Sequence, residues 1–383
     1  MSFWRMAILI LVALSTIPPA WGRQSGVLVG FLAEPGGTVS AQSFDDVKEP
    51  KYQTVWIAPD ATGKLAVLAT MPDLIVPRKD GFWHVGVKQV CEFTHNVSDV
   101  DGGSESILQA LWRAPIAKPG IVSVRRPCAA HEPGDYAPPY PRSEQDKNKI
   151  SQCGLGLMDI EYVSPVVLSI RKDSGQSGEC EERGGRFTAT LSVIGYDSDE
   201  KLTVSHLLGP EAQQAYVKAL PKHAQNDEGR DCGEPTTADD EWRIGRNAGR
   251  WSAFAHQDLG FFNCSVDALM RFRLPSSVTG DNSPQADWKV LQAKVKDLQD
   301  TYVSPAKDLL IVMTGTELRF HEYAEGEPGK LLLTLPAQPI VMVQWSTGTH
   351  VQGWTNQLQE ISKHPLPEPE VRVVPAANQR IQN

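Results

Sequence analysis

Nine histidines, 46 acidic residues and six cysteines give this 383-residue chain ample material for chemistry, so the question is whether their spacing fits any known arrangement. A nucleophile elbow needs Gly-x-Ser-x-Gly, because a small residue on either side lets a strained turn project the hydroxyl. Gly102-Gly103-Ser104-Glu105-Ser106 and Gly175-Gln176-Ser177-Gly178 come nearest, and neither satisfies it. His-Glu-x-x-His, phosphate-loop and dinucleotide patterns are absent from the sequence. Asp99-Val100-Asp101-Gly102-Gly103-Ser104-Glu105 alternates oxygen side chains as a calcium loop does, but without the distal bidentate glutamate, and reads better as a solvated turn. Structural zinc sites bring a ligand pair within a few residues. No two cysteines here lie closer than 25 positions. The sequence therefore assigns no catalytic, cofactor-binding or metal-ligating residue.

What remains is a short set of ligand-facing candidates. Trp345, His350 and Trp354 lie around one tight turn, where exposed aromatics can stack on a sugar or a peptide. His206, ahead of Leu207-Leu208, is a candidate ligand or base. Packing competes in each case, since tryptophans at strand ends usually bury most of their area and a histidine before two leucines is more often a packing residue. Asp239-Asp240-Glu241 reads as a solvated acidic face.

The N-terminus sets the compartment. Arg5, an apolar run over 6–17 and the small-x-small Ala20-Trp21-Gly22 predict a signal peptide over 1–22, cleaved near Gly22, and hence a secreted or periplasmic chain. Pro18-Pro19 stops the apolar run short of a bilayer span, and no later run matches it, so the mature chain is expected to lack an integral membrane segment. A bacterial lipoprotein is disfavoured, because no cysteine follows the cleavage site. Losing the leader removes one basic residue and leaves 36 basic against 46 acidic, a balance that repels nucleic acid. In an oxidising compartment Cys91, Cys128, Cys153, Cys180, Cys232 and Cys264 are expected to form disulfides of undetermined pairing.

Apolar periodicity divides the rest. Residues 23–126 form a strand-rich N-terminal region, with strands over 26–32, 53–58, 65–70 and 82–93. A helix is predicted over 104–114, where Ile107, Leu108, Leu111 and Trp112 fall at helical spacing ahead of Pro115. Five prolines mark 127–150 as a linker. A central α+β domain then spans 151–360. It has strands over 154–163, 165–171 and 187–196, a helix over 210–220, and a polar excursion over 223–250. A second helix opens at Ser283-Pro284, with Trp288, Leu291, Val295 and Leu298 on one stripe. A β-meander follows over 309–313, 317–322, 330–335, 339–345 and 349–354, and 361–383 is a flexible tail. The expected fold class is α+β: an antiparallel or mixed sheet with a few packed helices, a strand-rich N-terminal part and a C-terminal β-meander.

The run Tyr162-Val163-Ser164-Pro165-Val166-Val167-Leu168-Ser169-Ile170, then Gly184-Gly185, then Leu202-Thr203-Val204-Ser205-His206-Leu207-Leu208 and its helix to Leu220, carries a family likeness. It resembles the extracytoplasmic domain of lysozyme-sensing anti-sigma factors, also found beside polysaccharide deacetylase domains. Residues 314–335 correspond to that family's late hairpin. Arg186-Phe187 and Ser205-His206 stand where the family has Ala-His and an aspartate. The resemblance covers 159–220 and extends to 309–336. It implies an α+β sensor or binding module in the cell envelope and leaves the ligand undetermined; with no catalytic motif in the sequence, the leading expectation is a non-catalytic binding or sensor module for a protein or cell-wall glycan, with no cofactor. Two other readings stay open: a hydrolase of an envelope polymer whose residues converge only in three dimensions, and a β-propeller-like scaffold. Expressed with its leader in an exporting host, the purified chain should begin at Arg23 by intact mass and give no titratable thiol when denatured; a retained leader with six thiols would refute export.

Overall fold

The structure, a computed structural model, describes residues 25–36, 48–95, 103–124, 151–175, 188–226, 229–259, 264–280, 283–324 and 326–373. The leader, the 127–150 segment, Cys128 and Cys180 lie outside these residues, as do the side chains of Cys91 and Cys153.

Strands dominate, and four larger sheets follow one another along the chain. In the first, β1 (Ser25–Glu34), β2 (Lys51–Pro59) and β3 (Leu65–Pro72) form an antiparallel meander, and the late strand β20 (Ile340–Thr347) lies on the other side of β1. The second comprises β4 (Leu74–Arg78), β5 (Gly81–His95), β6 (Gly103–Pro115), β8 (Ser151–Val163), β9 (Val167–Gly175) and β10 (Thr188–Gly195). Its β6 and β8 run parallel, so strands from both sides of residues 127–150 share one sheet. A small parallel pair joins β7 (Ile121–Val124) to β21 (Glu370–Val373), drawing part of the expected tail onto the body.

Within the polar excursion, β11 (Ala224–Gln225) pairs with β12 (Asp231–Gly233). The third sheet is β13 (Trp242–Asn247), β14 (Arg250–Asp258) and β15 (Ser265–Leu269), and the fourth is the meander β16 (Leu298–Val303), β17 (Leu309–Thr314), β18 (Glu317–Ala324) and β19 (Glu327–Pro336). Among the described residues the helices are short: α1 (Val204–Leu208), α2 (Pro210–Ala219), α3 (Ser276–Thr279), α4 (Trp288–Lys294) and α5 (Thr349–Ile361).

Strand alternation explains how the sheets stack. On β1, Val27, Val29 and Phe31 face a main core that also takes Tyr162 from the second sheet, Trp251 from the third and Ile311 from the fourth. Leu28 faces the other way, into a second core with Trp56, Met71, Leu74 and Val341 beneath α5. A Cβ on Gly26 would sit 2.4 Å from the Trp56 ring, so a bare backbone there is what lets that ring pack on β1. The Trp56 indole N–H donates to Thr355 Oγ1 at 3.0 Å, pinning α5 to the sheet. Ser25 donates from its N–H and its hydroxyl to the Asp308 carboxylate at 2.9 and 2.6 Å, joining the first sheet to the fourth. Each sheet thus packs on the next and the last returns to the first, a propeller-like arrangement closed by β20.

Three sequence expectations are corrected. Residues 104–114 form strand β6, not a helix, because Leu111 pairs with Val87 and Trp112 lies over Gly86; cross-strand packing overrides the helical spacing. Residues 349–354 begin α5 instead of a strand, with Val351, Thr355 and Leu358 buried at helical intervals. The 283–298 helix shrinks to α4, since Asp297 takes a positive φ of 58° and Leu298 enters β16. The α+β class is met only in its coarser part: several antiparallel sheets with few helices.

Cys232 and Cys264 form a disulfide with 5.7 Å between Cα atoms, tying β12 to the start of β15 across 32 positions. Replacing both by serine should lower stability by about 3 to 4 kcal/mol, the chain-entropy value for a loop of that length, read from urea melts as a lower midpoint with a steeper slope, since the unlinked denatured chain is less compact.

Candidate functional site

The residues singled out by sequence do not converge. Trp345, on β20, packs half-buried against the main core. Trp354, on α5, packs on the opposite face of the first sheet, 5.6 Å from the Trp56 ring and 5.5 Å from Phe82. They make no common platform. His350 is exposed in the first turn of α5, and His206 is exposed on α1 with its backbone N–H given to Thr203 Oγ1. In the acidic cluster, Asp239 is buried and accepts the Ser205 N–H at 2.7 Å, so it holds the start of α1, while Asp240 and Glu241 each stand 3.7 Å from Lys201.

The third dimension does assemble an ionisable cluster that spacing did not reveal. Asp159 and Glu161, two apart on β8, point away from the buried Met158 and Ile160. Asp159 lies opposite Arg171 on β9, whose Nε donates to Asp173 at 2.9 Å. Arg243 on β13 donates to both Asp267 oxygens at 3.1 and 2.6 Å, stands 3.7 Å from Glu161 Oε2, and stacks over Phe254. His256 Nδ1 sits 3.9 Å from the same Asp267, and its Nε2 lies 3.2 Å from the Ala189 carbonyl. Burial raises the Glu161 carboxyl above its ordinary range against the pull of Arg243 and Arg171, and burial with Asp173 nearby raises Asp159. Carboxyls raised by burial beside arginines are a feature of acid-base sites, and of structural ion networks too. Arg243 bridges Glu161 and Asp267, so the cluster also joins the second sheet to the third.

A large cleft lies elsewhere, on the outer side of the fourth sheet. It has a volume of about 770 Å³, between the C-terminal end of α4 and the β17–β18 turn. That lies within the ~300–1,000 Å³ span of ligand sites. Its walls follow from two local features. Asp287 caps α4 by accepting the Lys289 and Val290 N–H groups, and the positive φ at Asp297 turns the chain back so that the helix end overhangs the sheet. Val295, Val312 and Pro328 supply apolar surface, and Thr314, Thr316, Lys296, Arg319 and His321 supply polar groups. Lys294 pairs with Glu327 at 2.5 Å and Arg319 with Glu317 at 2.7 Å. Lys296 is exposed and has no ion pair among the described residues. The signal that could have found this surface is the alternation Glu317, Arg319, His321 against buried Leu318 and Phe320.

No protein-family model, curated protein or solved structure matches the chain. Among the described residues no helix is long and apolar enough to cross a membrane, and no group of three or more His, Cys, Asp or Glu side chains is placed to hold a metal ion. The Cys232–Cys264 disulfide is compatible with an extracellular location.

Because the folded Glu161 carboxyl is raised above its unfolded value, the unfolded chain gives up this proton first, and the group's contribution to stability falls as pH rises past the unfolded value. Glu161→Gln should therefore gain relative to wild type in denaturant melts between pH 4 and pH 8; an unchanged difference across that range would mean that burial does not raise this carboxyl and that it titrates alike in the folded and unfolded chains.

Proposed function

We propose that the chain is a secreted or periplasmic binding module, strand-dominated within the broad α+β class, that receives a protein or cell-envelope component without transforming it. The observation that carries this reading is the cleft beside α4, whose volume and mixed lining suit an extended ligand holding both apolar and acidic groups. Its ion pairs are solvent-exposed and weak, so a ligand carboxylate can exchange with Glu327 or Glu317 at little cost. Lys296, which has no ion pair among the described residues, offers a further charge. The likeness of residues 159–220 to the lysozyme-sensing domains favours the same class. The cleft and that resemblance are independent supports.

Two alternatives have their own observations. The protonated tendency of Asp159 and Glu161 favours a hydrolase of an envelope polymer, with one carboxyl as acid. Closure of the sheets through β1 and β20 favours a propeller-like scaffold. The deciding experiment immobilises the mature protein, exposes it to envelope extract of the exporting cell, and compares wild type with Lys296→Glu/Arg319→Glu. The binding reading expects a stoichiometric protein or glycan on the wild type and at least a ten-fold loss on the variant. Equal retention would remove the cleft from the reading. Soluble wall fragments with nothing retained would favour the hydrolase.

A further inference from the structure

A second recess lies between the third and fourth sheets, at the other end of α4. Its volume is about 60 Å³, far below that of a drug-sized site and suited to a single small polar group. Three arginines line it, Arg246, Arg250 and Arg273, and among the described residues no acidic side chain does. In a chain with 46 acidic residues against 37 basic ones that is a marked local reversal.

The floor is built rigidly. The Arg246 guanidinium gives Nη2 to Asp300 Oδ1 at 2.8 Å and to the Thr301 carbonyl at 2.7 Å, while its Nε bonds the other Asp300 oxygen. Its Cζ lies over two rings, 4.0 Å from the centre of Tyr302 and 4.7 Å from that of Trp251. Asp300, itself buried, neutralises this arginine from behind. Arg250 and Arg273 are different: both are exposed at the rim, and neither has an ion-pair partner among the described residues. The lining therefore carries two unmatched positive charges beside a fixed guanidinium.

Arg250 is held there by a two-residue hairpin. Asn247 pairs with Arg250, and Ala248 and Gly249 both take positive φ, 47° and 80°, as a type I′ turn requires. A Cβ on Gly249 would come 2.7 Å from Thr301 Oγ1, so only glycine lets the turn approach β16 this closely. Alanine in the left-handed region costs about 1 kcal/mol. The fold keeps that strain where the arginines are presented.

We propose that this recess binds a tetrahedral dianion of the phosphate class, as inorganic phosphate or as a phosphomonoester head. Two unmatched arginines balance the charge of −1.5 to −2 that such a group carries near neutral pH, and their forked donors suit its oxygens. The site is separate from the cleft at the other end of α4 and does not depend on its role.

Isothermal titration of the mature protein tests it, with inorganic phosphate, glycerol phosphate and acetate as probes at one low ionic strength. Phosphate should bind with one-to-one stoichiometry, Arg250→Gln and Arg273→Gln should each weaken it about ten-fold, the scale of a charge-assisted hydrogen bond, and the double variant should abolish it. Both side chains are at the surface, and matching thermal melts will confirm that the variants fold. Arg271→Gln, an exposed neighbour outside the recess, should change nothing. Equal binding of glycerol phosphate and phosphate identifies a head group on a larger molecule, and binding of phosphate alone identifies the free ion. The assignment is overturned if wild type takes up no phosphate, if the double variant binds as well as wild type, if Arg271→Gln loses as much as the rim variants, or if acetate binds as tightly as phosphate.

Discussion

The antiparallel pairing of β1 with β20 is the constraint on which the remaining architecture rests. It runs from Ser25 opposite Thr347 to Phe31 opposite Ile340, and so joins strands from opposite ends of the described chain. Bringing such distant segments together costs only slightly more entropy than closing a loop half as long, because the cost grows with the logarithm of length. The return is burial on two faces at once. Val27, Val29 and Val343 fill the main core, and Leu28, Val341 and Met342 the second. A one-residue slip would exchange the two faces, so the alternation itself fixes the register. Asp308 then secures the closure, since the same carboxylate receives Ser25 and the Ser304 hydroxyl at 2.6 Å.

Between the sheets the joints are made by arginine. Arg243 spans the second and third and Arg246 the third and fourth, while within the second sheet Arg113 ties β6 to the turn after β10 through the Tyr196 carbonyl and Asp199. A planar guanidinium can stack on an aromatic face while donating along its edge, which a lysine ammonium cannot do. Arg246 does both, between Trp251, Tyr302 and Asp300. Such pairs are a poor source of net stability because both ions must be desolvated. Their effect is geometric, fixing how far one sheet can rotate on the next.

Much of the local structure was legible in the sequence, and the reasons for the exceptions are physical. The strand around Leu191 and Val193 declared itself through β-branched residues, and the fourth sheet through its apolar runs over 309–313, 317–322 and 330–335. Residues 104–114 misled because Ile107, Leu108, Leu111 and Trp112 also suit a helix, and the partner that decides the matter, Gly86, is remote in sequence. The Trp345–Trp354 pair seemed one surface because only their separation was visible, whereas the helical start at Thr349 sends them to opposite faces of the first sheet. The recess was invisible for a related reason: Arg246, Arg250 and Arg273 come from both sides of a hairpin and a later loop, and no periodicity links them.

Helix α4 connects the two surfaces where positive charge collects. It is seven residues long, too short to be stable alone, and depends on Leu291 packing against Val303, Leu310 and Val312. Its first residue, Trp288, lies beside the Gly249 turn that presents Arg250, and its last, Lys294, walls the open cleft. Both surfaces are therefore anchored on one apolar contact with the fourth sheet. On an acidic molecule they are also places where the field changes sign, and concave walls of low dielectric concentrate that field on an approaching anion. Because α4 is held by packing on the fourth sheet and by the Asp287 cap, a shift of that sheet would move the cleft wall relative to the rim arginines, which the third sheet's hairpin and the loop after β15 carry. The geometry that closes the fold through β20 thereby sets the spacing of the charges it presents.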